Sequence, residues 1–500
     1  MAEASPETIQ RLIENSEKGL SQIEMSLPHV LETRLVVTNA IKRQGGGDVV
    51  LDLMLVVLDT ILAENEVIYD LSASLDALLK AKDDYTKRFY MQSLNLCFWE
   101  ACQLFAGEEG DEDGLLTKLE KLTQQLNQAG CQFISRHIID DVRAFRKYYC
   151  DKELRNITRH YDDPIKMYEK QQGLDNIDFF AKGASQLMAI RMEVSVLSSY
   201  LLNLLTPVKK EAQSNVSNKG CGLALKGVLN DAIFKAFKKN DFKKEVQWTL
   251  SNGQAILDDC YRRYNQCLTA EEFLGKENCQ ISEDFNKIKL LIALRMETLF
   301  LRYDVACSVW GYLNAASDME RSQNLRLIHI TKQAALTHIY GYTETVRGKS
   351  LWTAIKRMKE SSDEELDTVS VETLLKELTD NLAEDKDISQ IYAHYRYQQD
   401  FYIPARLEAF NKMEHHKELM DAMKLLKICK VLDGYTVGLL FSVLEKKKQE
   451  TKRQQDEWIG VIDNFSAKVG DNEKSKEVLM SIRKLIEKMY DVENDNNGRS

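Results

Sequence analysis

Five hundred residues, 44% of them hydrophobic and 29% charged, are too many for one hydrophobic core and too apolar for a disordered chain, so two folded domains are expected. A net charge of −10 argues against a protein that coats nucleic acid through its overall charge, although local patches can differ from the average. No stretch of about 18 uncharged apolar residues occurs, because Asp52 and Asp59 interrupt the most apolar run, Val49 to Leu62, and no membrane span is expected.

The amino-terminal Met1-Ala2-Glu3-Ala4-Ser5-Pro6 lacks the basic-then-apolar pattern of a signal peptide. With ten scattered cysteines and no C-x-x-C pair, it reads as belonging to a reducing cytoplasm. Gln44-Gly45-Gly46-Gly47-Asp48 is expected to be an interhelical turn. It is not a phosphate loop, since no strand precedes it and no Gly-Lys-Ser/Thr follows. Leu55, Leu58, Ile61, Leu62, Ile68, Tyr69, Leu75, Leu78 and Leu79 then follow three- and four-residue steps, the stripe of a buried helix face. Asp140 to Tyr161 reads as one helix, with Val142, Phe145, Tyr149, Leu154 and Ile157 inward. Asp163 is expected to cap a new helix beginning at Pro164.

Residues 206–285 read as a helical connector that opens with turn residues around Pro207 and Gly220. Between 206 and 245 nine lysines face four acids, a local excess of five positive charges. Lys235, Lys238, Lys239, Lys243 and Lys244 are therefore candidates for contacting a nucleic-acid backbone; a solvated helix face is the plainer alternative. Residues 286–445 again carry helical spacing, and 446–500 read as a charged helix with a disordered end. Five tryptophans stand apart from one another, four of them at core-like spacing. The resulting expectation is an all-α protein: a helical bundle over 1–205, the connector, and a second bundle.

The order of features in the first bundle recurs in the second. Tyr69-Asp70-Leu71 leads to Leu79, Ala81 and Asp84, and Tyr303-Asp304-Val305 leads to Leu313, Ala315 and Asp318, at a constant shift of 234 positions. Leu115 to Leu119 faces Leu351 to Ile355 at a shift of 236, and Tyr161 to Pro164 faces Phe401 to Pro404 at 240. Three matches in the same order, the last of them aligning Pro164 with Pro404 at a helix break, point to a diverged tandem repeat.

The chemistry concentrates in Arg155-Asn156-Ile157-Thr158-Arg159-His160. A permanently charged guanidinium and an imidazole that titrates near neutrality suit phosphodiester cleavage: arginine holds the non-bridging oxygens while histidine moves a proton, and no metal is required. On ideal helix geometry Asn156 and His160 are nearly aligned, while Arg155 and His160 lie about 140° apart. They converge only through the long arginine side chain, a loosened last turn or a partner surface.

This Arg-Asn-x-x-x-His pattern resembles the HEPN family (higher eukaryote and prokaryote nucleotide-binding domains), compact helical bundles that commonly dimerise. The resemblance implies a metal-independent endoribonuclease with no cofactor and an active cleft at a dimer interface, where Arg155, Asn156 and His160 act on RNA and Arg159 lies beside them as a nucleic-acid contact. It also implies a homodimer or an intramolecular pseudo-dimer, and, since many members serve in toxin–antitoxin or phage-defence systems, a protein partner such as an antitoxin. In the second bundle the proline-anchored counterpart, Arg396-Tyr397-Gln398-Gln399-Asp400, has no histidine, so that copy reads as degenerate.

Two alternatives stay open. In one, Arg155 pairs with Glu153, Asp151 or Asp162 at a helix end while His160 caps its carbonyls, and the protein is a non-catalytic helical scaffold. In the other it binds nucleic acid without catalysis, through the lysines of 206–245. Glu414-His415-His416 lacks the i, i+4 spacing of a helical metal pair, so no metal site is expected.

Overall fold

The structure is a computed structural model describing residues 11, 14, 27, 29–107, 114–159, 163–205, 241–274, 279–315, 318–341, 349–360, 368–383, 396–397, 400–401, 414–468 and 479–484. It is all-α. Helix α1 covers residues 29–44, followed by α2 (Val49–Lys80), α3 (Asp84–Ala106), α4 (Leu115–Gln125), α5 (Ala129–Tyr149), α6 (Lys152–Arg159), α7 (Pro164–Gln172) and α8 (Ile177–Leu204). A second set comprises α9 (Asp241–Leu274), α10 (Cys279–Asn314), α11 (Asp318–Ile339), α12 (Leu351–Glu360), α13 (Thr368–Ala383) and α14 (His415–Lys468). Among the described residues, extended pairing is confined to a two-residue ladder that sets Arg396 opposite Phe401 and Tyr397 opposite Asp400. Arg396-Tyr397 and Asp400, aligned with the motif from sequence, thus fall in this ladder.

Local chemistry fixes the ends of these helices. Gly45, Gly46 and Gly47 all adopt φ between 79° and 87°, a region glycine enters without steric cost, and they form the expected turn. Asp48 then caps α2 by accepting from the Val50 and Leu51 amides at 2.9 and 3.3 Å. Asp83 caps α3 through the Thr86 amide at 2.7 Å, so the chain reverses within three residues and α3 packs along α2. Asp163 caps α7 through the Lys166 amide at 3.0 Å, with Pro164 in the first turn as anticipated.

The apolar core runs continuously through both sets. In the first, α2 is flanked by α3, α4 and α8; in the second, α10 is flanked by α9, α11 and α14. Residues 241–274, read from sequence as part of a connector, form α9, which packs along α10; residues 206–240 lie outside the described residues. The charged segment after Glu445 continues α14 as far as Lys468. One helix among those described, α8, is long and apolar enough to cross a membrane. Its inward face, with Phe180, Leu187, Val194 and Leu201, belongs to the core.

The contact between the two sets is polar as well as apolar. Arg326 of α11 donates to both carboxylate oxygens of Asp70 of α2 at 2.5 and 2.6 Å, and both residues are buried. The Tyr85 hydroxyl of α3 donates to Asp304 of α10 at 2.7 Å. The Tyr90 hydroxyl lies 3.0 Å from the Cys307 carbonyl and 3.4 Å from Asn324 Oδ1. Buried polar groups carry a cost unless they find partners, so these cross-links define how the two sets dock.

Candidate active site

The expected helix from Asp140 to Tyr161 is two helices. Helix α5 stops at Tyr149, Cys150 turns extended (φ −100°, ψ 122°), and Asp151 begins the next turn. The break is set at long range. Asn95, buried on α3, grips the Asp151 peptide from both sides: its Nδ2 donates to the Asp151 carbonyl at 3.0 Å and its Oδ1 accepts from the Asp151 amide at 2.9 Å. A continuous helix would occupy that amide internally, whereas here only the carbonyl joins a helix, accepting also from the Arg155 amide at 3.1 Å. With the peptide held by Asn95, Asp151 instead caps α6, accepting from the Leu154 amide at 2.9 Å through its carboxylate. Val142, Phe145 and Leu154 are buried as the spacing suggested.

Arg155 therefore sits in the first turn of a short helix pinned to α3. Its guanidinium lies 3.5 Å from Glu100 Oε1 of α3 and over the Trp99 ring at 5.3 Å; its side chain is 20% exposed and that of Glu100 7%. Arg146 covers the same indole at 4.3 Å and donates to the Gly107 carbonyl at 3.3 Å. Two guanidiniums thus share one aromatic ring, and the pairing with Glu100 adds to the orientation of Arg155. Of the partners considered from sequence, Glu153 is engaged elsewhere, with Lys166 at 3.0 Å and Lys170 at 2.5 Å. Those two lysines hold its carboxyl below the usual range and tie α6 to α7. Glu100 is 55 positions from Arg155, beyond any local pattern; the only trace in the sequence is that Asn95, Trp99 and Glu100 fall on neighbouring turns of one helix.

Glu100 also lines a narrow cleft between the two helix sets. Asp70, Ser74, Ser93 and Cys97 line it from the first set, and Gln323 and Arg326 from the second. Arg155, through Glu100, is thereby set at the edge of the contact between the sets. Asn156 and Arg159 are placed on α6, with nothing described of their side chains, and His160 lies outside the described residues.

The lysine candidates divide. Lys235, Lys238 and Lys239 lie outside the described residues, whereas Lys243 and Lys244 occupy the first turn of α9, half-buried and exposed respectively. Lys243 faces the corner between α2 and α3 beside Asp84. Asp84 and Glu100 are sixteen residues apart on α3. At about 1.5 Å per residue that separation is about 24 Å, so the lysine site and the motif are distinct places.

Among the described residues no group of three or more His, Cys, Asp or Glu side chains is disposed to hold a metal ion. The described cysteines are buried or half-buried, and burial pushes the Cys260 thiol up to about 11 and Cys429 to about 12, which makes them poor nucleophiles. The chain matches no family model, no curated protein and no solved structure.

Proposed function

We propose that this protein is a metal-independent endoribonuclease of the HEPN type, working on RNA from a cleft between two halves of a tandem duplication. The observation that carries the reading is the position of Arg155: locked onto Glu100, which itself lines the contact between the two helix sets. An arginine that stabilises charge on a scissile phosphate has to be oriented beforehand, and Glu100 and Trp99 supply that orientation.

The duplication draws support from three features. Three consecutive helices of each set have similar lengths: 32, 23 and 11 residues for α2, α3 and α4, and 36, 22 and 10 for α10, α11 and α12. Tyr90 and Asn324, which touch, are 234 positions apart, the shift of the sequence repeat. A residue that meets its own counterpart lies on a two-fold axis. Asp70 and Asp304 are also counterparts at that shift, and each accepts a hydrogen bond from the opposite half, from α11 and α3 respectively. The chain would thus be its own dimer, with one complete motif.

In this reading His160 takes the proton from an RNA 2′-hydroxyl as its oxygen attacks the adjacent phosphorus, or gives one to the departing 5′-oxygen. Arg155 neutralises the charge gathering on the non-bridging oxygens, and Asn156 orients the pair. The P–O5′ bond breaks, leaving a 2′,3′-cyclic phosphate and a 5′-hydroxyl. The setting would be the cytoplasm, with toxin–antitoxin or phage-defence systems as the context the family offers and an antitoxin as a partner to look for.

The test is incubation of the full-length protein with transfer, messenger and ribosomal RNA in EDTA, beside His160→Ala and Arg155→Ala. Cleavage by the wild type alone, with cyclic-phosphate ends, is the expected result. A second reading, a helical interaction module, is favoured by the engagement of Arg155 with Glu100 and Trp99. It predicts that Arg155→Ala lowers the melting temperature while no RNA is cleaved by any form.

A further inference from the structure

The corner between α2 and α3 opposes the first turns of α9 and the end of α10, and an open groove runs between them. One face of α9 beside this groove is buried, with Val246, Thr249 and Leu250, while Gln247 and Ser251 lie on its exposed face. Trp248 joins the exposed face, with 56% of its surface open along the groove wall. A large indole turned to water gains nothing from packing, whereas an exposed ring at a groove is the usual platform for stacking a planar ligand.

The charges around the ring are unequally occupied. Asp83 is committed to capping α3, accepting from the Thr86 amide at 2.7 Å and its hydroxyl at 2.8 Å. Asp258 accepts from Tyr168 at 2.6 Å and from Gln254 at 2.5 Å, and Lys80 is held by Asp76. Lys82 and Lys243 line the same groove, and neither makes an ion pair or hydrogen bond among the described residues. Gln254 spends its amide nitrogen on Asp258 and leaves its carbonyl oxygen buried without a hydrogen-bond partner among the described residues. The groove therefore combines a flat aromatic face with two ammonium groups that are not paired among the described residues, while its remaining exposed acid, Asp84, is shared with Lys87 at 3.4 Å.

From these features we infer that the groove binds a nucleoside phosphate, with the base on Trp248 and the phosphate between Lys82 and Lys243. The ring accepts any base through its π face, and the ammonium groups neutralise the phosphate. The shared chemistry covers a free nucleotide and a nucleotide within an RNA strand. Neither the lysines nor the tryptophan belongs to the Arg155 site, so the inference stands independently of the cleavage proposal.

The test uses the full-length Arg155→Ala protein, so that no substrate is consumed. Tryptophan fluorescence and calorimetry are recorded during titration with AMP, ATP, inorganic phosphate, and ten-nucleotide adenosine and uridine RNA. Saturable quenching by nucleotides but not by phosphate is expected. Trp248→Ala should weaken binding about tenfold or more, and Lys82→Ala and Lys243→Ala should weaken it and flatten its salt dependence. Circular dichroism of each variant confirms that folding is retained. Mononucleotides binding as well as the decamers would assign a free-nucleotide site, and decamers binding far more tightly would assign a strand. No saturable binding by either, or binding indifferent to Trp248→Ala in a folded variant, overturns the inference.

Discussion

Lys332 is a deeply buried ammonium: its side chain is 3% exposed, and Nζ lies 2.7 Å from Glu418 Oε2 and 3.4 Å from Asp421 Oδ2. It ties α11, the helix that carries Arg326 to the cleft, to α14. Lys332→Met keeps most of the volume and removes the charge nearest two buried carboxylates, leaving the His329 imidazole 3.3 Å from Glu418. Breaking a buried pair in this way costs about 3–5 kcal/mol.

The pH dependence gives an independent handle. Burial alone would raise the Glu418 pKa; His329 and Lys332 outweigh it and hold the group at about 2, against 4.5 when unperturbed. A depressed carboxylate contributes stability that is present above pH 4.5 and lost as pH falls towards 2. About 2.5 units at 1.36 kcal/mol each makes that contribution about 3 kcal/mol. In Lys332→Met the Glu418 pKa rises, so the stability gap between the two proteins should narrow as pH falls from 4.5 towards 2. Urea unfolding at pH 7 and pH 3 measures both effects. Lys332→Met/Glu418→Gln/Asp421→Asn should recover most of the loss, because it removes the carboxylate charges too. A cost under about 1 kcal/mol at pH 7, or a gap that does not change with pH, would refute the reasoning.

Two further substitutions probe the packing and the interior electrostatics. At Gly311 an added Cβ would sit 2.1 Å from the Tyr90 hydroxyl and 2.2 Å from Asn324 Oδ1, so Gly311→Ala should push the two halves apart at their central contact. A loss of about 1–3 kcal/mol and faster amide exchange along α3 and α11 are expected; a neutral substitution would mean that this contact is loose. Glu64 is buried between α2 and α8, and desolvation, only partly offset by Arg191 and Ser198, lifts its pKa to about 8. A raised carboxylate favours folding below pH 4.5, and that advantage is lost as pH rises to 8, so Glu64→Gln should stabilise the protein more at pH 8 than at pH 5. Equal effects at both pH values in thermal melts would show that Glu64 is already charged in the folded protein.

Period and capping were legible from the chain alone because both are local. The three- and four-residue spacing of Leu58, Leu62, Tyr69, Leu75 and Leu78 gave a buried helix, and all five are buried. Asp163 and Pro164 announced a helix start through nearest-neighbour geometry, and the run of three glycines announced a turn. The extent of burial was not legible. From Leu62 to Leu78 every residue of α2 is buried, Asn65, Glu66 and Asp70 among them, because the other half closes over the face that an isolated bundle would leave in water.

The sequence by itself determined that the chain is helical, where several helices begin, and that one stretch, Arg155 to His160, has the composition for phosphodiester chemistry. Tertiary structure alone decided what surrounds that stretch. Asn95 breaks the helix ahead of it from 56 positions away, Glu100 and Trp99 orient Arg155, and Arg326 reaches Asp70 across 256 positions to close the neighbouring cleft. Helical spacing is written in residues three and four apart. A polar contact between distant helices is written only in how they dock, since a buried hydrogen bond or ion pair depends on the geometry of both partners and leaves no periodic trace in either segment.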